Sequence, residues 1–201
     1  MQNQDYKRAM AEFIRQEARP ADKFSHQPRL YQLAKQVGEG KAFDDDILYA
    51  AAWMHDIGVF LGHRPADPAE LAKWDNVAYA VRVVPEILQT LGFPSSKTAA
   101  VAEAIRTHLP SGRPTSIEGV LLRDADILEQ LGAVGIVRMI SKVGRDSRYP
   151  THDDAIRVLR KAARDLPARL ELPLARRMAE QRIALMSAFF EELDAESTTQ
   201  A

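Results

Sequence analysis

Apolar residues recur three or four positions apart along nearly the whole chain, which is the period of an α-helix. No segment shows the strict alternation of a half-buried strand or the turn residues of a hairpin. Caps and helix breakers delimit about nine predicted helices, at residues 5–17, 24–38, 47–56, 75–91, 95–108, 117–131, 133–143, 152–164 and 173–193. Residues 62–71 are expected to form a loop or a short helix. The pattern predicts an all-α, single-domain, multi-helix bundle over residues 1–195, with a frayed tail at Glu196–Ala201.

Composition narrows the class of protein. The chain has 201 residues, 27 Lys and Arg, 28 Asp and Glu, five His and no Cys. The absence of Cys excludes a disulfide framework, a thiolate zinc site and a cysteine nucleophile. A net charge of −1 offers no general attraction to a nucleic acid polymer or an anionic membrane. The N-terminus is polar and no apolar run approaches the ~20 residues of a membrane span, so we expect a cytoplasmic protein.

Three histidines lie where a helix should face the core. His26 is on the apolar face of its helix, and Pro28 places it close to the helix start. His55 ends the most apolar helix of the chain and is followed directly by Asp56. His108 is in helical phase with apolar residues of its own helix. For each histidine taken singly, the alternative is a hydrogen-bonded core residue without further function.

The two remaining histidines lie on polar segments. His63 follows a glycine in a loop, and His152 stands at a helix start beside two aspartates. Both are expected at the surface, as polar side chains usually are.

The pair His55-Asp56 stands at the end of its predicted helix. Adjacent helical residues point ~100° apart and do not usually converge. At a helix end the backbone is freer, so both side chains could reach one ion beyond the last turn. A buried Asp56 without such a partner would be costly.

Three segments together resemble a known family. Met54-His55-Asp56-Ile57-Gly58 resembles the central signature of the HD-domain metal-dependent phosphohydrolases. Residues 26–30, His-Gln-Pro-Arg-Leu, are similar to that family's H-x-x-R-V/L element, and residues 122–128, Leu-Arg-Asp-Ala-Asp-Ile-Leu, resemble its D-A-D-x-L element. The resemblance covers a metal-binding core at about residues 20–140. Residues 141–195 resemble the C-terminal helical extension of small bacterial members.

The resemblance implies an all-α bundle that binds one divalent metal ion. Its ligands would be His26, His55, Asp56 and Asp126. This nitrogen and oxygen donor set suits Mn²⁺, Ni²⁺, Co²⁺, Fe²⁺ or Mg²⁺, and Zn²⁺ is also compatible. Asn76 stands where branches with two metals carry a further histidine, which favours a single ion.

The implied activity is hydrolysis of a phosphate ester, with a nucleotide or another small phosphorylated metabolite as substrate. Asp56 or Asp124 would accept the proton of the attacking water, and His108 would bind phosphate or protonate the leaving oxygen. The small deoxynucleotide phosphatases carry a glutamate shortly after the signature, whereas this chain has Val59-Phe60. A nucleoside monophosphate is therefore the less favoured substrate.

Four arginines are candidate phosphate contacts: Arg29, Arg113, Arg145 and Arg148. The alternative for each is a solvated surface charge.

Two arguments give different metal ligands within Asp124-Ala125-Asp126, and the predicted ligand is Asp126. Helical periodicity places Asp124 in the middle of the apolar face and favours it as the buried ligand. The resemblance favours Asp126, and Asp124 would then orient a ligand or water.

Two other classes of function remain. The same ligands could hold a metal-stabilised binding or regulatory module without turnover. A di-iron oxygenase-like relative of the fold is the other alternative, with His63 or His108 supplying further ligands.

Overall fold

The computed structural model describes residues 2–198, with side chains over residues 5–197. In this part of the chain ten α-helices form and no strand does. In chain order they are α1 (Gln2–Glu17), α2 (His26–Val37), α3 (Asp45–Met54), α4 (Pro68–Leu71), α5 (Asn76–Thr90), α6 (Ser95–Thr107), α7 (Ile117–Glu129), α8 (Gly132–Ile140), α9 (His152–Asp165) and α10 (Pro173–Thr198). Short 3₁₀ helices occupy Ala21–Ser25, Ile57–Val59 and Pro167–Arg169. The predicted all-α fold class is confirmed.

The helix bounds follow the sequence prediction closely. The short helix expected within residues 62–71 is α4, which Asp67 caps by accepting from the amides of Ala69 and Glu70. Helix α10 continues to Thr198, into the segment expected to fray, and residues 199–201 lie outside the described part of the chain. None of the described helices combines the length and apolar character needed to cross a bilayer.

The chain divides between Ala125 and Asp126, within α7, into two compact units. In the first unit α3 packs against α1, α2 and α6, and its residues from Leu48 to Met54 are all buried. Helix α5 packs against α6 and the Ile57–Val59 turn. In the second unit α8 packs against α9 and α10.

A network of charges fixes the N-terminal end of α3. Asp44 caps the helix, and Lys97 Nζ lies 2.7 Å from Asp44 Oδ2 and 2.8 Å from Asp46 Oδ2. Lys7 Nζ lies 2.7 Å from Asp45 Oδ2 and 3.1 Å from Asp46 Oδ1. Burial by itself would raise the pKa of the Asp46 carboxyl, but its hydrogen bonds, first of all that from Lys97, lower the pKa to about 2. The network ties α3 to α1 and α6, and so holds the axial position of the helix that directly precedes His55.

Candidate metal centre

The end of α3 and the start of α2 bring three side chains together. His26 Nε2 lies 3.3 Å from His55 Nε2, and Asp56 Oδ2 lies 3.7 Å from the first and 3.6 Å from the second. Both imidazoles are buried, whereas the Asp56 side chain is 21% exposed. Among the side chains that the structure describes, these form a group of potential metal ligands whose donor atoms all lie within 4.8 Å of one another.

The three donor atoms fit one divalent cation. A cation that lies in the plane of the three donor atoms, at equal distance from them, would be about 2 Å from each. This distance matches metal bonds of about 2.0–2.2 Å to imidazole nitrogen and carboxylate oxygen. His55 Nδ1 donates to the carbonyl of Ala52 at 3.0 Å, so in the neutral ring Nε2 carries the lone pair. The ring is therefore held in the tautomer that a metal ligand needs.

Local backbone geometry explains why adjacent residues converge. Helix α3 ends at Met54, and the His55 amide still donates to the Ala51 carbonyl. Asp56 has left the helix, with φ −98° and ψ 10°. Because its backbone turns there, its carboxylate reaches the same point as the His55 ring. The convergence predicted from the helix end is confirmed.

A third buried histidine lies beside this group. The ring of His108 is centred 5.1 Å from that of His55, at an interplanar angle of 76°. His108 directly follows α6, and its Nδ1 donates to the Ile105 carbonyl at 2.6 Å. Each of the two rings is thus oriented by a hydrogen bond from its Nδ1 to the carbonyl three residues earlier in the chain. The inward orientation predicted for His108 is confirmed.

Gly58 allows the turn after the ligands to pack closely. A Cβ atom at this position would lie 2.5 Å from the backbone oxygen of Asn76 and 2.9 Å from its Cα. Trp74 Nε1 donates to the Gly58 carbonyl at 2.8 Å. The glycine after His55-Asp56 is therefore required by the close approach of the start of α5.

Comparison with known proteins agrees with this geometry. The model of the HD domain matches residues 24–131, more than half of the chain. The chain belongs to the HD-domain family. A comparison of this HD-domain protein with functionally curated sequences finds no match.

Solved structures of similar proteins cover nearly the whole of the HD-domain chain. Bacillus subtilis YpgQ, solved in complex with ADP, is 25% identical with a TM-score of 0.73, over 98% of this chain and 97% of that chain. A predicted HD superfamily hydrolase from an uncultured Thermotogales bacterium is 27% identical with a TM-score of 0.63, over 94% and 91%. An HD-superfamily hydrolase from Bacillus thuringiensis, 22% identical over 98% and 99%, shares the fold with a TM-score of 0.70. The fold of this HD-domain protein is thus the all-α fold of the HD-superfamily hydrolases.

The two carboxylates of the D-A-D element differ in their surroundings. Asp124 is fully buried, and its Oδ1 lies 3.5 Å from Nη2 of Arg123. Asp126 is half-buried and belongs to the second unit, where its Oδ2 accepts from Gln130 Nε2 at 3.1 Å. Every residue of α7 from Glu118 to Glu129 other than Asp126 is buried. Because this helix has no broad exposed face, periodicity cannot select the ligand, and the assignment of Asp126 to the metal stays a prediction.

The four candidate arginines occupy different environments. Arg29 is half-buried one turn after His26 and donates to the Ser25 carbonyl at 3.1 Å, and Arg113 is exposed. In the second unit, Arg145 donates to the Ser141 carbonyl. Arg148 makes two hydrogen bonds to Asp146, of 3.0 and 2.7 Å, which raise the pKa of its guanidinium. Phosphate contact by any of the four stays a prediction.

The surface expectation is correct for His152 and wrong for His63. His152 is exposed at the first residue of α9. His63 is half-buried, with Nε2 2.8 Å from Glu17 Oε2 and Nδ1 2.9 Å from the Tyr79 hydroxyl. These partners lie 46 and 16 positions away, and no local signal in the sequence points to them.

Proposed function

We propose that the protein is a divalent-metal-dependent phosphohydrolase that acts on a nucleotide or another small phosphate ester. The observation that carries the proposal is the mutual geometry of His26, His55 and Asp56, whose donor atoms fit one cation. In this proposal Asp126 is the fourth ligand, as the family resemblance implies. Mn²⁺, Ni²⁺, Co²⁺, Fe²⁺ and Mg²⁺ suit the donor set, and Zn²⁺ is compatible.

The bound cation would supply Lewis acidity, which polarises a phosphoryl oxygen and acidifies water. The protein residues would supply orientation and proton transfer. His26 and His55 are buried and close the inner side of the centre to solvent. Asp56 is the partly exposed member of the group, so its carboxylate can meet an incoming water and accept its proton.

His108 and Asp124 would act around the centre. The Nδ1 bond to Ile105 fixes the His108 ring, so Nε2 is the atom through which the doubly protonated ring would contact phosphate or protonate the leaving oxygen. Asp124 is fully buried beside Arg123, which suits a carboxylate that orients its neighbours better than one that exchanges protons with solvent. We therefore favour Asp56 over Asp124 as the proton acceptor.

A nucleotide substrate is supported by the similarity to YpgQ, which was solved in complex with ADP. Of the four candidate arginines, two lie in the first unit and are favoured for phosphate contact: Arg29, which shares α2 with His26, and Arg113, in the segment after His108. A di-iron centre has less support, because the group of potential ligands described above contains three residues. Asn76, which stands where branches with two metals carry a further histidine, approaches Gly58 with its backbone.

A substrate screen tests the proposal. Nucleotides, phosphorylated metabolites and p-nitrophenyl phosphate are incubated with each of the six metals. The wild type is compared with His55→Ala as a blank and with His152→Ala, an exposed histidine, as a matched control. We expect phosphate release from the wild type and His152→Ala, and none from His55→Ala.

Two results would overturn it. A metal that stabilises folding without hydrolysis of any ester would favour the binding or regulatory module. An iron-loaded, coloured protein that consumes oxygen would favour the oxygenase-like alternative.

A further inference from the structure

The loop of residues 109–114, which follows His108, has little conformational freedom. Pro110 and Pro114 restrict its backbone, and the Gly112 amide donates to the Leu109 carbonyl at 2.7 Å. A Cβ atom on Gly112 would lie 2.1 Å from the carbonyl oxygen of Thr107. The loop is therefore held against the end of α6, in a conformation that admits only glycine at this position.

Arg123, on α7, holds this loop from the inside. Its Nη1 donates to the Gly112 carbonyl at 3.2 Å, and its Nη2 lies 3.5 Å from Asp124 Oδ1. Arg123 and Asp124 are both buried. Burial of an ion pair carries a desolvation penalty that can exceed its Coulombic gain, so stability alone gives a weak reason for this arrangement. What the pair does achieve is a fixed position of the Gly112 carbonyl relative to Asp124.

The outer surface of the same loop carries two exposed side chains of different character. Leu109 is 41% exposed although it is apolar, and Arg113 is exposed. Leu109 directly follows His108 and Arg113 lies five positions after it, and the His108 ring packs on that of His55. An apolar side chain and a cation on the loop that follows His108 suit a phosphate ester that has an apolar portion, such as a nucleobase.

We propose that Arg123 is a positioning residue, which locks the loop of residues 109–114 as a preformed wall for the substrate. Arg123 acts through the Gly112 carbonyl, and the contacts to substrate are made by the loop. This role rests on the proposed phosphohydrolase function. A loop held in its binding conformation before the substrate arrives lowers the ordering cost of binding, so its release should weaken binding more than chemistry.

The variant Arg123→Lys tests the proposal, because lysine keeps the charge but lacks the two-pronged guanidinium. Hydrogen exchange of the amides of residues 111–113 is measured by mass spectrometry. The kcat and KM for p-nitrophenyl phosphate and ADP are measured with Mn²⁺, together with metal content. We expect faster exchange in the loop, a KM raised about tenfold with kcat changed less than about threefold, and unchanged metal content.

Two further variants make the test specific. Gly112→Ala, which must displace the same loop from the Thr107 carbonyl, should reproduce the rise in KM. Arg138→Lys is the matched control, because Arg138 Nη1 pairs with the buried Glu129 at 3.3 Å in the second unit. We expect it to lower the melting temperature without changing loop exchange or KM. If Arg123→Lys behaves in the same way, Arg123 is structural only and the proposal fails.

The outcomes separate the two proposals. If Gly112→Ala raises KM but Arg123→Lys does not, the loop contributes to binding and Arg123 is not its anchor. If Arg123→Lys opens the loop and KM stays unchanged, the loop is not a wall of the site. If the wild type hydrolyses no ester, the proposed function fails, and the exchange rates of Arg123→Lys against Arg138→Lys still decide whether Arg123 holds the loop. Should Arg123→Lys not fold, the double variant Arg123→Met/Asp124→Asn removes both buried charges, and its loop exchange and KM are compared with those of Asp124→Asn alone.

Discussion

The Nε2 atoms of His26 and His55 lie 3.3 Å apart, although 29 positions separate the two residues in the sequence. His55 Nδ1 donates to the Ala52 carbonyl, so its Nε2 presents a lone pair to the His26 ring when neutral. Asp56 Oδ2 lies within 3.7 Å of both nitrogens. Three donor atoms that face one point are stabilised by a cation at that point.

Removal of one ligand should abolish activity and spare the fold. We expect His55→Ala and Asp56→Ala to lose the metal and to lower turnover by more than about 100-fold. Both should remain helical, because a domain of this size buries enough apolar surface without a metal. Elemental analysis and circular dichroism check this, with His152→Ala retaining one ion per chain. Two tightly held ions in the wild type, or a collapsed apo protein, would contradict the prediction.

Asparagine variants distinguish the two carboxylates of the D-A-D element. We expect Asp126→Asn to lose metal affinity. We expect Asp124→Asn to keep the metal, because the Asp124 carboxylate pairs with Arg123 at 3.5 Å, and to lower turnover. Isothermal titration with Mn²⁺ measures the affinity of each variant. If Asp124→Asn loses the metal and Asp126→Asn keeps it, the helical periodicity selected the ligand correctly and the family alignment did not.

His108 should affect chemistry without being an obligatory ligand. We expect His108→Ala to retain one metal ion and to lower kcat by about 100-fold, the usual contribution of a positioned acid or base. Steady-state kinetics and metal content are measured on the same preparation. Unchanged kcat and KM would identify His108 as a core histidine held by the Ile105 carbonyl.

Gly58→Ala should disturb both stability and metal binding. The new Cβ would meet the backbone of Asn76, which cannot rotate away as a side chain would. We expect a loss of about 1–3 kcal/mol in the free energy of unfolding, with weaker metal binding because Asp56 is two residues away. Gly40→Ala is the control: its φ of +74° makes alanine strained, but no atom lies within 4 Å of the added Cβ. Gly40→Ala should lower the free energy of unfolding by about 1 kcal/mol and leave metal affinity unchanged.

Asp46 should make stability depend on pH in the acid range. Its folded-state pKa is lowered to about 2, below the ordinary value of 3.8, so the charged form stabilises the fold. This stabilisation is fully present above pH 4 and is lost as the pH falls towards 2, and it amounts to about 2 kcal/mol. Urea unfolding between pH 6 and pH 2 measures it.

Two variants identify the source of this acid sensitivity. Asp46→Asn should be less stable than the wild type at pH 6 and should lose part of the pH dependence. Asp165→Asn is the control: the pKa of Asp165 is also lowered to about 2, but this carboxylate lies at the surface, where solvent screens its interactions. An equal effect of both substitutions would show that the partly buried network around α3 stabilises the fold no more than a surface ion pair does.

Much of the fold and part of the centre follow from the sequence itself. The 3.6-residue period determines the helices, because an apolar stripe must be buried along one side of each. The same period turns His26 and His108 inward, and Pro28 places His26 at the start of α2. The convergence of His55 and Asp56 follows from the end of α3, since only the non-helical backbone of Asp56 lets adjacent side chains meet.

Other features depend on contacts between elements that are distant in the chain, and only the tertiary structure decided them. Gly58 is required because the backbone of Asn76 approaches it, and His63 is held by Glu17 on α1. Arg123 reaches the Gly112 carbonyl on the loop after His108. Periodicity specifies which face of a helix is buried, but not which atoms of another element meet it. Those distances are set by how all the helices pack at once.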